Sequence, residues 1–363
     1  MNVASDLIVP VVELKNIKPH PNADKLDICD VLGYQMVIPK GRHNEGDRCV
    51  YFPADTILPN QWADKFGVKN FLKGKNKDRV GRIALRGEPS FGLIAPVQED
   101  SWEVGDNVAD YFGCEKYEPP IRTTAGDAAP YDDQVDPFIQ RYTDIQNGRI
   151  YTDVFEEDEE VIATEKLHGT NCKLIIIQDK GIYAGSMGLR RQRPLNHRGV
   201  LACVDDPEMK SNTYWYPWTI KSVINLMQDR SLIHKVVILY GEVYGGSVQS
   251  LSYGIPKGKG LGFRAFDLMV DGTYVDFYDF EKLCSAHNVP MVPVLYRGPW
   301  SMDKMKKLSD GKSTVEGADH IREGIVVRPI KERICQDIGR VILKYIGTEY
   351  ELSKHKQKDT KDQ

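Results

Sequence analysis

The chain has 363 residues, enough for two domains that each bury a core. Its 41% hydrophobic and 28% charged residues are those of an ordinary soluble protein, and no apolar run approaches the ~18 residues of a membrane-spanning helix. The formal net charge of −4 gives no overall attraction to a polyanion, so charge must be read segment by segment. At the N-terminus, Asp6 beside the short Leu7-Ile8-Val9 lacks the basic start and long apolar core of a signal peptide. Seven cysteines with no C-x-x-C pair suit reduced thiols better than a disulfide framework or a zinc site. A cytoplasmic protein is expected, or one of the host cytoplasm if viral, with no membrane association.

Residues 8–113 predict short strands at 8–14, 26–31, 34–38, 48–52, 82–85 and 93–97, punctuated by Pro-Asn, Lys-Gly and Arg-Gly turns. That spacing predicts a small β-barrel. Within it Lys69, Lys73, Lys75, Lys77, Arg79, Arg82 and Arg86 place seven cations in eighteen residues against one acid, Asp78, with Phe66 and Phe71 nearby. Cations that displace counterions, beside aromatics that can stack, suit RNA; an ordinary solvated loop is the competing reading. Residues 119–136, rich in Pro, Thr, Asp and Ala, are expected to be a linker. A short helix is predicted over 137–145.

Beyond an acidic run at 156–160, Lys166 stands in a turn between two strand-like segments, followed by His168, Gly169, Thr170 and Asn171. Glycine there lets the backbone approach a ligand, and the polar side chains suit phosphate oxygens or a hydrated cation. Taken alone, a K-x-x-G tetrapeptide is most often a solvated hairpin. His168 and Cys172 are four apart, but incidental neighbours are the better reading than a metal pair. Strands then alternate with helices predicted at 218–230, at 280–287 with Asp279 as N-cap, and at 302–308 with Ser301 as N-cap. Lys257-Gly258-Lys259-Gly260-Leu261-Gly262 lacks phosphate-loop spacing and reads as a hairpin loop. Residues 351–363 are expected to be a disordered, weakly basic tail.

Two resemblances organise these elements. His20-Pro21-Asn22-Ala23-Asp24-Lys25-Leu26, Cys29-Asp30-Val31 and Arg86-Gly87-Glu88-Pro89-Ser90-Phe91-Gly92-Leu93 resemble the tRNA-binding OB-type module of some aminoacyl-tRNA synthetases. Lys166-Leu167-His168-Gly169-Thr170-Asn171, Leu239-Tyr240-Gly241-Glu242-Val243-Tyr244-Gly245, Phe263-Arg264-Ala265-Phe266-Asp267-Leu268, Arg322-Glu323-Gly324-Ile325-Val326-Val327-Arg328 and Val341-Ile342-Leu343-Lys344-Tyr345 resemble motifs I, III, IIIa, IV and V of the covalent nucleotidyltransferases. Their order, behind an OB-like module, looks most like the ATP-dependent RNA ligases. The implied fold class is α+β multidomain, an N-terminal OB-like β-barrel (1–118) and an antiparallel-sheet nucleotidyltransferase domain (137–350).

The resemblance implies that Lys166 attacks the α-phosphorus of ATP to form lysyl-AMP. This requires a neutral amine, so burial or a nearby cation must lower the ~10.4 of free lysine. Lys344 would hold the α-phosphate, with Arg328 or Arg340 as candidate helpers, because Ile342 replaces the first lysine of the usual K-x-K. Phe266 matches the adenine-stacking aromatic, against the alternative of a core phenylalanine. Glu242 and Glu323 match carboxylates that serve the ribose and, with Asn171, a Mg²⁺ or Mn²⁺ ion. The main chain at Glu165 lies where the family reads adenine. RNA contacts are implied for Lys69, Lys73, Lys75 and Arg79 in the barrel, for Arg149, and for Arg190 or Arg191 in motif Ia. The expected partner is RNA with a nick or broken ends, bound by a monomer.

An mRNA-capping guanylyltransferase or a DNA ligase is the rival within the superfamily; both usually carry an OB domain after motif V, and this chain ends about twenty residues beyond Lys344. A non-catalytic RNA-binding protein is the rival of another class, and Lys166, Glu242, Glu323 and Lys344 together argue against it.

Overall fold

The computed structural model describes residues 7–117, 141–156 and 158–359. The expected linker and residues 137–140 of the expected helix lie outside these; residues 141–145 carry no helix. The described chain divides into an N-terminal and a C-terminal compact unit.

In the N-terminal unit, Val11–Glu13, Arg48–Phe52 and Leu93–Pro96 form one antiparallel sheet, Lys15–Pro19, Leu26–Val31 and Tyr34–Pro39 a second, and Arg82–Leu85 with Glu88–Phe91 a ribbon. Tyr34, Met36 and Ile38 alternate inward as a half-buried strand requires, whereas Cys49 to Phe52 are covered on both faces. The turn Arg86-Gly87 has both residues at positive φ, 50° and 87°, the geometry of the tightest two-residue hairpins. Phe52, Trp62 and Phe112 build an aromatic core, with ring centroids at 5.0 and 4.8 Å. Phe66 packs into this cluster, 5.6 Å from Trp62, so it is not the exposed stacking ring expected from the sequence; Phe71, 46% exposed, is.

The C-terminal unit holds two large sheets and a two-stranded ribbon of Ile334–Cys335 and Gly339–Arg340. A six-stranded antiparallel sheet runs Arg190–Arg191, Gly181–Gly185, Thr170–Ile177, Val236–Tyr244, Gly262–Val270, Thr273–Tyr274. A five-stranded sheet runs Gln146–Asn147, Leu343–Ile346, Gly324–Pro329, Glu160–Lys166, Val294–Pro299. It is mixed, because its first pair is parallel.

Strand alternation gives the six-stranded sheet two different faces. Cys172, Leu174, Leu239 and Ala265 pack on Val223, Met227, Phe280 and Cys284 of helices Lys221–Ser231 and Phe277–His287. The opposite face carries Ile175, Ile238, Tyr240 and Met269 around Tyr142. Cys172 therefore points away from the site and donates its thiol to the Tyr214 carbonyl at 3.3 Å. This rules out a metal pair with His168.

Helix boundaries correct the sequence reading in three places. The 280–287 helix begins at Phe277, with Asp276 as N-cap residue; its carboxylate accepts from the Glu332 N–H at 2.7 Å rather than closing the helix end. Asp279 sits in the first turn, where a negative charge is also favourable. The 218–230 helix starts at Lys221, after a 3-10 turn at Tyr216–Thr219. The expected disordered tail is instead helical over Thr348–Asp359, with Glu349 and Glu351 in its first turn. The glycine-rich 257–262 segment is a loop leading into a strand, as expected.

Between the two sheets lies a buried ionic cluster. Asp267 accepts from Arg328 at 2.8 Å, from Arg340 at 2.6 Å and from the Tyr142 hydroxyl at 2.9 Å. Glu332 takes two bonds from Arg340, at 2.6 and 2.7 Å. Burial alone would raise the Asp267 pKa, but Arg340 and Arg328 hold it below the usual carboxylate range. Its stabilising contribution is thus present above the unfolded-state value and fades as pH falls through the folded one. Asp267→Ala takes the shared carboxylate from two buried guanidinium groups, which keep only their bonds to Glu332 as ion pairs among the described residues, and is expected to cost about 3–5 kcal/mol. Denaturant melts of wild type and variant check this; matching midpoints would contradict it.

Candidate active site

Lys166 is the last residue of Glu160–Lys166, and its Nζ lies 3.0 Å from Glu323 Oε1. Glu323 directly precedes the neighbouring strand, where Lys166 pairs with Gly324. The other Glu323 oxygen lies 3.2 Å from His168 Nδ1. Across the turn, Glu242 accepts the Gly169 N–H at 2.9 Å. No larger residue fits at 169, since a Cβ there would sit 2.2 Å from the Val243 carbonyl oxygen. Asn171 pairs in register with Glu242 and so shares its face of the sheet. Its Oδ1 is buried with no hydrogen-bond partner among the described residues.

The electrostatics follow from two acids around one buried amine. Burial pushes Lys166 toward neutrality, but Glu323 and then Glu242 outweigh it, and its pKa is raised. Without a bound cation, its neighbours keep it an ammonium. Burial would raise Glu323, yet Lys166 and His168 bring it down to about 2. Glu242 is pushed up to about 7, by burial first, with Lys166 opposing and Glu323 adding to the rise. Two carboxylates and an unpaired amide oxygen are hard ligands suited to Mg²⁺ or Mn²⁺. No three His, Cys, Asp or Glu side chains converge as a metal-holding group among the described residues.

The remaining expected residues separate into those at the site and those committed elsewhere. Lys344 pairs with Val326, which pairs with Thr164, so Lys344 and Lys166 share one face of the five-stranded sheet. Phe266 is the extra residue of a β-bulge: Tyr240 pairs with Asp267 and Gly241 with Ala265, leaving Phe266 between them. The bulge turns both Phe266 and Asp267 to one face, where Phe266, half-buried, meets Tyr142 edge-on at 5.4 Å. The Glu165 carboxylate is 1% exposed and accepts from Thr314 N–H and Oγ1, each at 2.8 Å. Its backbone N–H donates to the Pro293 carbonyl. Arg328 and Arg340 belong to the Asp267 cluster, which corrects their expected help in holding phosphate. Arg149 is 3% exposed, not a surface group, and donates to the Ile346 carbonyl at 3.4 Å.

In motif Ia, Arg191 is buried over the Tyr214 ring, whereas Arg190 lies half-buried over Tyr183 at 4.1 Å. In the barrel, Lys69 pairs with Asp64 at 3.2 Å and Arg79 stacks on Tyr117 at 4.1 Å. Lys73 lays its chain against Gly81, and Lys75 is exposed.

Three residues near Lys166 escaped sequence reasoning. The Tyr253 hydroxyl accepts the His168 N–H at 2.7 Å, and Tyr350 sets its ring 5.8 Å from the imidazole. Lys173 is fully buried on the Asn171 face, its pKa lowered to about 8 by burial. Only the alternation counted from Asn171 could have singled out Lys173; nothing local marks the two tyrosines.

A family model described as RNA ligase matches residues 159–346, and one described as an OB-fold domain matches residues 8–97. Among solved structures, the Naegleria gruberi RNA ligase with PPi aligns with a TM-score of 0.67 at 24% identity, over 96% of this chain and 99% of that one. A lysine-to-alanine mutant of that ligase with ATP and Mn gives 0.66 at 23% identity, over 97% and 98%. A lysine-to-methionine mutant with AMP and Mn gives 0.68 at 23%, over 96% and 99%. The structural likeness, at this identity, establishes the two-part fold. The RNA ligase model covers over half of the sequence and includes every residue of the Lys166 site from Glu160 to Lys344, and by that match the chain belongs to the RNA ligase family.

Proposed function

We propose that the protein is an ATP-dependent RNA ligase that joins a 3′-hydroxyl to a 5′-phosphate at nicked duplexes. The observation that carries this is Lys166 between Glu323 and Glu242, on a sheet face shared with Lys344. The ATP, AMP, PPi and Mn of the Naegleria gruberi ligase structures support the same substrate and cation here.

The chemistry proceeds in three balanced steps. Deprotonated Lys166 Nζ attacks the α-phosphorus of ATP, forming a P–N bond as pyrophosphate leaves. A 5′-phosphate oxygen of the RNA then attacks the same phosphorus, and the P–N bond breaks to return the amine. Finally the 3′-hydroxyl loses its proton and attacks the 5′-phosphorus, releasing AMP. Asn171, Glu242 and Glu323 would hold the divalent cation. When bound, it supplies positive charge against the two carboxylates, so that burial prevails and the Lys166 amine is neutral. Lys344 stabilises charge on the α-phosphate oxygens as the five-coordinate state forms. Phe266 gives adenine a flat apolar face, aimed by the bulge. His168 and Tyr253 fix the turn that presents Gly169 and Asn171.

Residues 1–118 would grip RNA through Lys69, Lys73, Lys75 and Arg79, and residues 137–350 would carry the chemistry, with 119–136 as the connection. Among motif Ia arginines, Arg190 is the one exposed enough to meet RNA. The protein would act as a monomer in the cytoplasm; no helix among the described residues is long and apolar enough to cross a membrane.

Lys166→Ala is expected to form no covalent AMP adduct and to fail on a 5′-phosphorylated nick, yet to join a pre-adenylylated one. Labelled ATP and a sealing gel test both; an adduct persisting in the variant would contradict the proposal. Phe266→Ala is expected to raise the KM for ATP about tenfold, and Phe266→Leu by less. Because Phe266 is half-buried, its loss of stability should fall below the ~3–5 kcal/mol of a fully buried phenylalanine. Normal KM with a large drop in melting temperature would make Phe266 a core residue.

A further inference from the structure

Beyond Arg190–Arg191 the chain forms a hairpin in which Leu195 bridges Leu201. It is a built loop, not a loose one. Asn196 Oδ1 accepts from the N–H groups of Arg198 and Val200 at 3.0 and 3.4 Å, and its amide donates to Asp206 Oδ2 at 3.2 Å. Asp206 also accepts the Cys203 N–H at 2.7 Å, and Arg193 Nε donates to the Ala202 carbonyl at 2.8 Å. This stiff frame displays three aliphatic side chains, Leu195 at 52%, Val200 at 56% and Leu201 at 57% exposure. At its tip Arg198 donates to His197 at 3.2 Å, and both are exposed.

Charge says what covers these side chains. From 180 to 204 the sequence has Lys180, Arg190, Arg191, Arg193 and Arg198 and no Asp or Glu. Asp205 and Asp206 follow, the latter with its carboxylate taken up by Asn196 and the Cys203 N–H, and an apolar ridge inside an arginine-rich segment complements a polyanion that also offers non-polar surface. A-form RNA presents riboses across a wide, shallow minor groove that admits such a ridge; the narrower groove of B-form DNA does not. We propose that the 193–203 hairpin docks in the minor groove of the RNA duplex beside the strand end and favours A-form over B-form helices. This rests on the ligase reading above and adds a duplex-sensing element outside the nucleotide pocket.

The test compares wild type with a combined Leu195→Ser, Val200→Thr, Leu201→Ser variant on blunt duplexes of one sequence in RNA and in DNA. Since all three side chains are over half exposed, the variant should melt like wild type. Its affinity for the RNA duplex should fall about tenfold while DNA affinity changes little. Arg198→Ala, a second and single change, should weaken RNA binding and reduce the salt slope by about one ion. Unchanged RNA-duplex affinity in the triple variant, or equal losses on RNA and DNA, would overturn the proposal. So would a wild-type dimer, by light scattering, that the triple variant dissolves, since a second copy would then cover the ridge. Lysyl-AMP formation, followed in parallel, should be the same in all three proteins; its absence from wild type would count against the ligase reading, whereas the duplex comparison judges the hairpin alone.

Discussion

The contact between Lys166 and Glu323, at 3.0 Å, is the interaction on which the rest of the site depends. It joins the strand that ends in the nucleophile to the residue preceding its neighbour, and it fixes the protonation state of both. With Glu242 close by, the lysine is an ammonium and not a nucleophile. A buried amine is poised to lose its proton only when the negative charge around it is cancelled. In the proposed mechanism the same carboxylates that hold the lysine charged would be the oxygen ligands of a divalent cation, so that nucleophile activation and cation binding would become one event. On that reading, reactivity would be tied to the arrival of a metal–nucleotide complex.

The framework behind the site performs two tasks. Asp267, Arg328, Arg340 and Glu332 lock the faces of the two sheets together with charge-assisted bonds in a low-dielectric layer. The bulge between Tyr240 and Gly241 then lets adjacent residues face the same way, Asp267 into that lock and Phe266 against Tyr142. One irregularity in the ladder thereby serves the lock and, in the proposed mechanism, would also serve adenine recognition. Arginines that resemble phosphate ligands in the sequence are consumed by this cross-sheet lock.

How much was legible in the sequence depended on whether the cause was local. Leu26–Val31, Arg48–Phe52 and Arg82–Leu85 were read from β-rich runs bounded by turns, because pleat and turn chemistry leave short-range patterns. Lys15–Pro19 was missed: it is an almost fully exposed strand whose polar residues show no buried face. The helical start of the C-terminal tail was missed because its order comes from tertiary contacts, such as the Glu349 N–H donating to Asp310. The motif residues were visible through resemblance, but their electrostatics were not. Whether Lys166 is held charged depends on Glu323, 157 positions away in the chain. Tyr253 and Tyr350 likewise depend on distant neighbours and left no signature in the sequence, whereas the burial of Lys173 was legible only through strand alternation from Asn171.

The most direct test of the account is to incubate wild-type protein with ATP and Mg²⁺, digest it, and locate the acid-labile AMP adduct by peptide mass. The account predicts one adduct, on the peptide containing Lys166, formed only when the divalent cation is present. An adduct on any other residue, or equal modification of Lys166 in chelator, would contradict it.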